Sequence, residues 1–142
     1  MYLLGTRNST TQALTTGASV NLGEVYRKFC RKNSCGVKTF DFNGTSVALQ
    51  QSGMYHITAT ITFTAPVAGL VIFQLTENGV AIPSAEITQR VTTNDSVQMT
   101  GSTIVTLNAG DVLSLALESE LTATFNLNAN TNASLSVKKL AD

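Results

Sequence analysis

The sequence predicts an all-β fold, a two-sheet antiparallel sandwich of the jelly-roll type with about nine to ten strands. Three observations predict it. First, Gly53 to Ala65 alternates without a break. Tyr55, Ile57, Ala59, Ile61 and Phe63 fall on one side, and His56, Thr58, Thr60, Thr62 and Thr64 on the other. Successive strand side chains point to opposite faces, so this is a strand with one face in a core. Second, similar short runs recur about every 8 to 12 residues with turn signals between them, and no helical period appears. Third, 43% of the chain is apolar but only 13% is charged, about half the usual share. Thr, Ser and Asn supply the polarity, as on exposed strand faces. With 142 residues the chain is one domain with a core of useful size.

Residues 1–17 hold Tyr2, Leu3 and Leu4, then mostly Thr, Ser, Asn and Gly. They read as an extended N-terminal arm, either a frayed tail or a docking arm that inserts its apolar start into a partner. The body, residues 18–142, opens with a short strand at Val20 and Leu22. A basic loop at 24–38 follows, carrying Arg27, Lys28, Arg31 and Lys32 with Cys30 and Cys35. Asn43-Gly44 between Thr39–Phe42 and Ser46–Gln50 predicts a hairpin. After the Gly53 strand, the run 70–75 is apolar on both faces: Val71, Phe73 and Leu75 on one, Leu70 and Ile72 on the other. Such a strand needs covering twice, so its second face predicts contact with another subunit or a loop.

Asn78-Gly79 is a second turn, and Pro83 suits a strand start or edge. Ala85 to Val91, Val97 to Leu107, Val112 to Leu117, Leu121 to Leu127 and Ala133 to Val137 complete the alternating set. Gly101 interrupts the long strand and reads as a bulge. Asn108 to Asp111 is a tight turn.

Charge is zero overall but segregated. Residues 1–38 hold six Lys and Arg against Glu24 alone, a balance of plus five. Residues 39–142 hold three against eight acids, a balance of minus five. The leading segment therefore suits an acidic partner, unless it is simply solvated. The opening residues lack a basic start and an apolar core of leader length, and no run is long enough to span a bilayer, so neither export by a leader nor a membrane partner is expected.

Little chemistry is on offer. Cys30 and Cys35 are the only cysteines and His56 the only histidine, too few ligands for zinc. The two cysteines form a short disulfide loop or remain free thiols. A nucleophile would need His56 as its base, yet no motif surrounds it. Glu118 and Glu120 read as solvated acids. Asn94, Asp95 and Asp111 are a weak calcium set, should they converge at one end of a sandwich. The Asn-x-Ser/Thr sequons at Asn8, Asn43, Asn94 and Asn132 read as chance. No phosphate loop is present. The expectation is therefore no enzyme, no cofactor, no metal and no nucleic acid.

Several of these segments resemble one family. Gly53-Met-Tyr55-His-Ile57, Leu75-Thr-Glu-Asn78-Gly79-Val-Ala-Ile82-Pro83, Leu107-Asn-Ala-Gly110-Asp111-Val112-Leu113-Ser-Leu115 and Ala133-Ser-Leu135-Ser-Val137 occur in order. Together they are similar to the trimeric jelly-roll family of tumour necrosis factor and complement-type globular heads. The nearest likeness is its bacterial and phage branch, such as the C-terminal domains of spore-surface collagen-like proteins. The resemblance implies a homotrimer whose closing strand runs near the threefold axis. Leu70, Ile72, Leu135 and Val137 are then the candidate interface residues. Here no Gly-X-Y repeat aligns the chains, and the basic Cys30–Cys35 insert departs from the pattern. The functional expectation is a bacteriophage decoration, head-fibre or tail-associated protein in the virion. It would dock on a capsid or fibre platform through Tyr2, Leu3, Leu4, Arg27, Lys28, Arg31 and Lys32. The alternatives are a spore- or cell-surface adhesion module and a receptor- or carbohydrate-binding tip.

Overall fold

A computed structural model describes residues 2–29, 40–119, 124–128 and 131–141. Among these, the chain forms β1 (Tyr2–Asn8), β2 (Gln12–Thr15), β3 (Glu24–Phe29), β4 (Phe40–Phe42) and β5 (Val47–Leu49). Next come β6 (Gly53–Thr64), β7 (Gly69–Glu77) and β8 (Val80–Ala81), then a 3₁₀ turn at Pro83–Ala85. β9 (Ile87–Val91), β10 (Ser96–Leu107), β11 (Val112–Ser119), β12 (Thr124–Leu127) and β13 (Ala133–Ala141) complete it. No helix of the described residues is long and apolar enough to cross a membrane.

The strands form two antiparallel sheets. The seven-stranded sheet is centred on β6, which pairs β10 along one edge and β13 and β12 along the other. β13 continues to β1 and β1 to β3, while β12 continues to β2. The six-stranded sheet runs β4-β5-β11-β7-β8, with β9 also on β7. This is the expected sandwich, with thirteen strands rather than nine or ten.

β6 follows its sequence pattern throughout. Tyr55, Ile57, Ala59, Ile61 and Phe63 are buried, and the threonines opposite them are partly solvated. Phe63 meets Phe125 edge to face at 5.3 Å, and Tyr55 meets Phe40 of the opposite sheet at 6.3 Å. The Tyr55 hydroxyl donates to the Gln51 carbonyl at 2.6 Å, which satisfies a polar atom on a buried ring.

The additional strands lie mostly in the polar N-terminal quarter. The expected arm is extended, but it does not stand apart from the body. β1 pairs residue for residue with β13, from Tyr2 against Lys139 to Asn8 against Ala133. Leu4, Thr6 and Asn8 are buried, so the first strand is part of the sandwich. The expected basic loop begins as strand β3, which pairs β1 and is exposed along its length. Val20 and Leu22 are buried as read, although the segment meets β11 through an isolated bridge, Ser19 to Ala116, and the Gly17 and Val20 amides rather than as a strand.

The turns differ in detail. Asn78 and Gly79 both have positive φ, as a two-residue primed hairpin requires. At the first Asn-Gly the loop is wider. Asn43 Oδ1 accepts from the Ser46 and Thr45 amides, at 2.8 and 3.1 Å, and only Gly44 is left-handed. Pro83 opens the 3₁₀ turn rather than a strand. Gly101 is not a bulge, since β10 stays in register with β6 over its whole length. The residue is glycine because a Cβ would sit 3.0 Å from the Ala85 carbonyl oxygen, where the 3₁₀ turn crosses the strand.

Candidate assembly face

The outer surface of the seven-stranded sheet is built by the residues that alternate with the core. On β6 these are Met54, His56, Thr58, Thr60 and Thr62. Their cross-strand partners are Thr106, Ile104, Ser102, Thr100 and Gln98 on β10. On the other side, β13 sets Lys138 beside His56, Ser136 beside Thr58 and Ser134 beside Thr60. β1 then adds Gly5 beside Ser136 and Arg7 beside Ser134. At the centre of this face Thr58, Thr60, Thr100, Ser102, Ser134 and Ser136 carry short side chains, and the longer His56, Gln98, Lys138 and Arg7 surround them.

The hydroxyls on this face are tied to each other. Thr60 and Thr100 meet at 3.2 Å, Thr58 and Ser102 at 3.4 Å, and His56 Nε2 and Ser102 Oγ at 2.9 Å. The last contact is the base-and-hydroxyl pair that sequence reasoning asked about. Among the described residues no carboxylate reaches the other imidazole nitrogen, and the pair lies on an open strand surface.

Apolar residues border this polar centre. Ile104 is 61% exposed, with Met54 and Leu140 also exposed near it. At the far margin Tyr26 lies over Gly5, where a Cβ would come within 3.1 Å of its ring. Arg7 and Arg27 sit at 5.2 and 5.8 Å from the Tyr26 ring centre.

The structure does not gather the expected interface residues on one surface. Leu135 and Val137 are 1% and 0% exposed, with side chains in the chain's own core. The outward residues of that strand are Ser134, Ser136 and Lys138. Leu70 and Ile72 lie on the outer face of the other sheet, half-buried, paired with Arg90 and Thr88 of β9. Of the docking set, Leu4 is in the core, Tyr2 and Leu3 are half-buried, and Arg27 and Lys28 are exposed on the edge strand β3. Arg31 and Lys32, and the candidate disulfide pair Cys30 and Cys35, lie outside the described residues. The small-residue face was missed because Ser and Thr opposite a core look like ordinary solvated positions. The exposed Ile104 in an otherwise polar row was the available signal.

The calcium reading fails on geometry. Asp95 precedes β10 and Asp111 follows it, so a strand of 12 residues separates them, a span of about 40 Å. Each acid caps its own turn. Asp95 accepts from the Thr92 amide at 3.3 Å, and Asp111 from the Asn108 amide at 2.8 Å. That backbone bond, with the Asn78 amide at 3.0 Å, holds the Asp111 carboxyl below the usual range. Desolvation, then the neighbouring Asp111, raises Glu77. Among the described residues no group of three His, Cys, Asp or Glu converges.

The fold has many relatives. The globular domain of a zebrafish complement 1qA protein aligns at a TM-score of 0.69 with 10% identity, covering 100% of each chain. Murine APRIL aligns at 0.70 with 10% identity over 98% of each. Pika GITRL aligns at 0.59 with 18% identity over 100% of this chain and 99% of its own. At such identities the likeness is one of fold. No curated protein matches the sequence at a significant level. The sequence model of the BclA C-terminal domain does match, over residues 5–141, and the chain belongs to that family.

Proposed function

We propose that this chain is a non-enzymatic structural head, displayed on a surface, that associates with itself as a homotrimer through the outer face of its seven-stranded sheet. The observation that carries the reading is the cluster of short hydroxyl side chains at the centre of that face. Serine and threonine occupy the central positions of β13, β6 and β10, at Ser134, Ser136, Thr58, Thr60, Thr100 and Ser102, where long polar side chains would normally stand. Short hydroxyl side chains bonded to one another cost little entropy to bury, and they let a neighbouring sheet approach closely. The apolar margin at Ile104, Met54 and Leu140 adds the burial that a polar centre lacks.

Family membership supports the surface-module reading over the virion reading. The phage reading leaned on a free docking arm, whereas Leu4 is committed to the core. The platform contact, if one forms, falls to the exposed Arg27 and Lys28 of β3. The deciding measurement is the solution mass of the purified chain by light scattering after size exclusion. A mass of three times 15.0 kDa supports the proposal. A monomer at micromolar concentration overturns it. Antibody labelling of spores and cell envelopes then separates surface display from packaging in particles.

A further inference from the structure

At the end of β1 the chain builds a cleft of about 360 Å³ that the assembly face does not explain. Two connections line it, from β1 to β2 and from Val20 to β3. Side-chain amides lock them together. Asn8 Nδ2 and Gln12 Nε2 both donate to the Asn21 carbonyl at 3.0 Å. Gln12 Oε1 accepts from the Asn21 amide at 3.0 Å, and Asn132 Nδ2 donates to the Thr10 carbonyl at 3.0 Å. Asn8 and Asn132 are themselves buried. Gly23 is required at the contact, because its φ is +76° and a Cβ would lie 2.1 Å from the Arg7 carbonyl oxygen. The floor of the cleft is therefore rigid before any ligand arrives.

What this network leaves unused belongs to residues that line the same space. Among the described residues no hydrogen bond or ion pair engages the Arg7 guanidinium, the Glu24 carboxylate, the Asn21 side-chain NH₂ or the Ser9 and Thr10 hydroxyls. All five residues line the cleft. Arg7 is steadied by the Tyr26 ring at 5.2 Å, and that ring is 49% exposed beside the opening.

This lining selects by elimination. Arg7 repels a metal cation. Glu24 repels a phosphate or a second carboxylate. The polar walls offer nothing to an apolar ligand. Two opposite charges set side by side suit a zwitterion or a neutral ligand dense in hydroxyls, and the amide and hydroxyl groups of Asn21, Ser9 and Thr10 favour the second. A guanidinium fork and a carboxylate each span two adjacent hydroxyls with paired hydrogen bonds. The volume lies at the small end of ligand sites, room for one or two sugar rings. We infer that the cleft is a saccharide-binding site for a neutral pyranose unit. Arg7 and Glu24 clasp adjacent hydroxyls, and Asn21, Ser9 and Thr10 contact the remainder. One chain supplies every lining residue, and because Arg7 also borders the assembly face, the solution mass of each variant is measured beside its sugar binding to tell the two proposals apart.

The test is nuclear magnetic resonance on the isotope-labelled full chain, titrated with glucose, galactose, mannose, rhamnose and N-acetylglucosamine, with inorganic phosphate and calcium as controls. At least one sugar should shift the Arg7, Asn21, Gly23 and Glu24 amides, with a dissociation constant of about 1 mM. Arg7→Met and, separately, Glu24→Gln should each weaken that binding about tenfold or more while the spectrum elsewhere stays native. The glutamine variant, which keeps the size of the side chain, serves if loss of the Arg7–Tyr26 contact unfolds the first. The inference is overturned if no sugar shifts these amides, if phosphate or calcium shifts them instead, or if sugar binding survives both substitutions.

Discussion

Replacing Ser136 by arginine separates assembly from folding. Ser136 stands in the middle of β13 on the outward face, between Thr58 of β6 and Gly5 of β1. In an isolated chain the new side chain extends into solvent, and stability changes by within about 0.5 kcal/mol. In a trimer with β13 near the threefold axis, three guanidiniums come within roughly 8 Å of each other. At an effective dielectric of about 20 each pair repels by about 2 kcal/mol, so three pairs cost about 6 kcal/mol before any desolvation. That is about four orders of magnitude in the assembly constant. The control is the next residue. Val137 is 0% exposed, and Val137→Ala removes two buried methyl groups at a cost of about 2–3 kcal/mol. Its melting temperature should fall by roughly 8–12 °C while the oligomer persists. The assays are light scattering after size exclusion across a concentration series, and thermal melts of both variants. Wild-type mass for Ser136→Arg at low micromolar concentration would refute the argument, as would dissociation caused by Val137→Ala with an unchanged melt.

Further outcomes follow from the core and the turns. Gly101→Val drives a branched side chain against the Ala85 carbonyl, 3.0 Å from where its Cβ must go. It should cost about 2 kcal/mol in denaturant melts. Phe63→Ala empties a site 1% exposed and removes the contact with Phe125. A loss of about 3–5 kcal/mol is expected, a large part of the stability of an ordinary domain. The two turn acids titrate in opposite senses. Asp111, held below its ordinary value of 3.8, contributes stability that is present above that value and lost as pH falls through the lower folded value. Glu77, raised above 4.5, contributes in reverse, so stability falls as pH rises through its folded value. Asp111→Asn should therefore flatten the acid limb of a stability-against-pH curve, and Glu77→Gln should leave that limb in place. A limb unchanged by Asp111→Asn would count against the assignment.

The alternation of Tyr55 to Phe63 specified a buried strand without help from the rest of the chain, because two-residue periodicity is a local property of an extended backbone. The same holds for the Asn78-Gly79 turn, where positive φ is a property of two residues. The family likeness, carried by motifs in their order along the chain, was equally legible. The fate of residues 2–15 was not. Their apolar content is too small to predict a core strand, and β1 is fixed by β13, with Tyr2 against Lys139 at the other end of the chain. Nor could the sequence say which face of β13 stays outward. The resemblance nominated Leu135 and Val137 through the closing strand, yet their side chains lie in the core, and Ser134 and Ser136 face outward. The saccharide cleft was invisible for a related reason. Arg7 and Glu24 meet as cross-strand partners of β1 and β3, and Asn21 joins them where a glycine lets two connections pack in contact; that closeness exists in the tertiary structure alone.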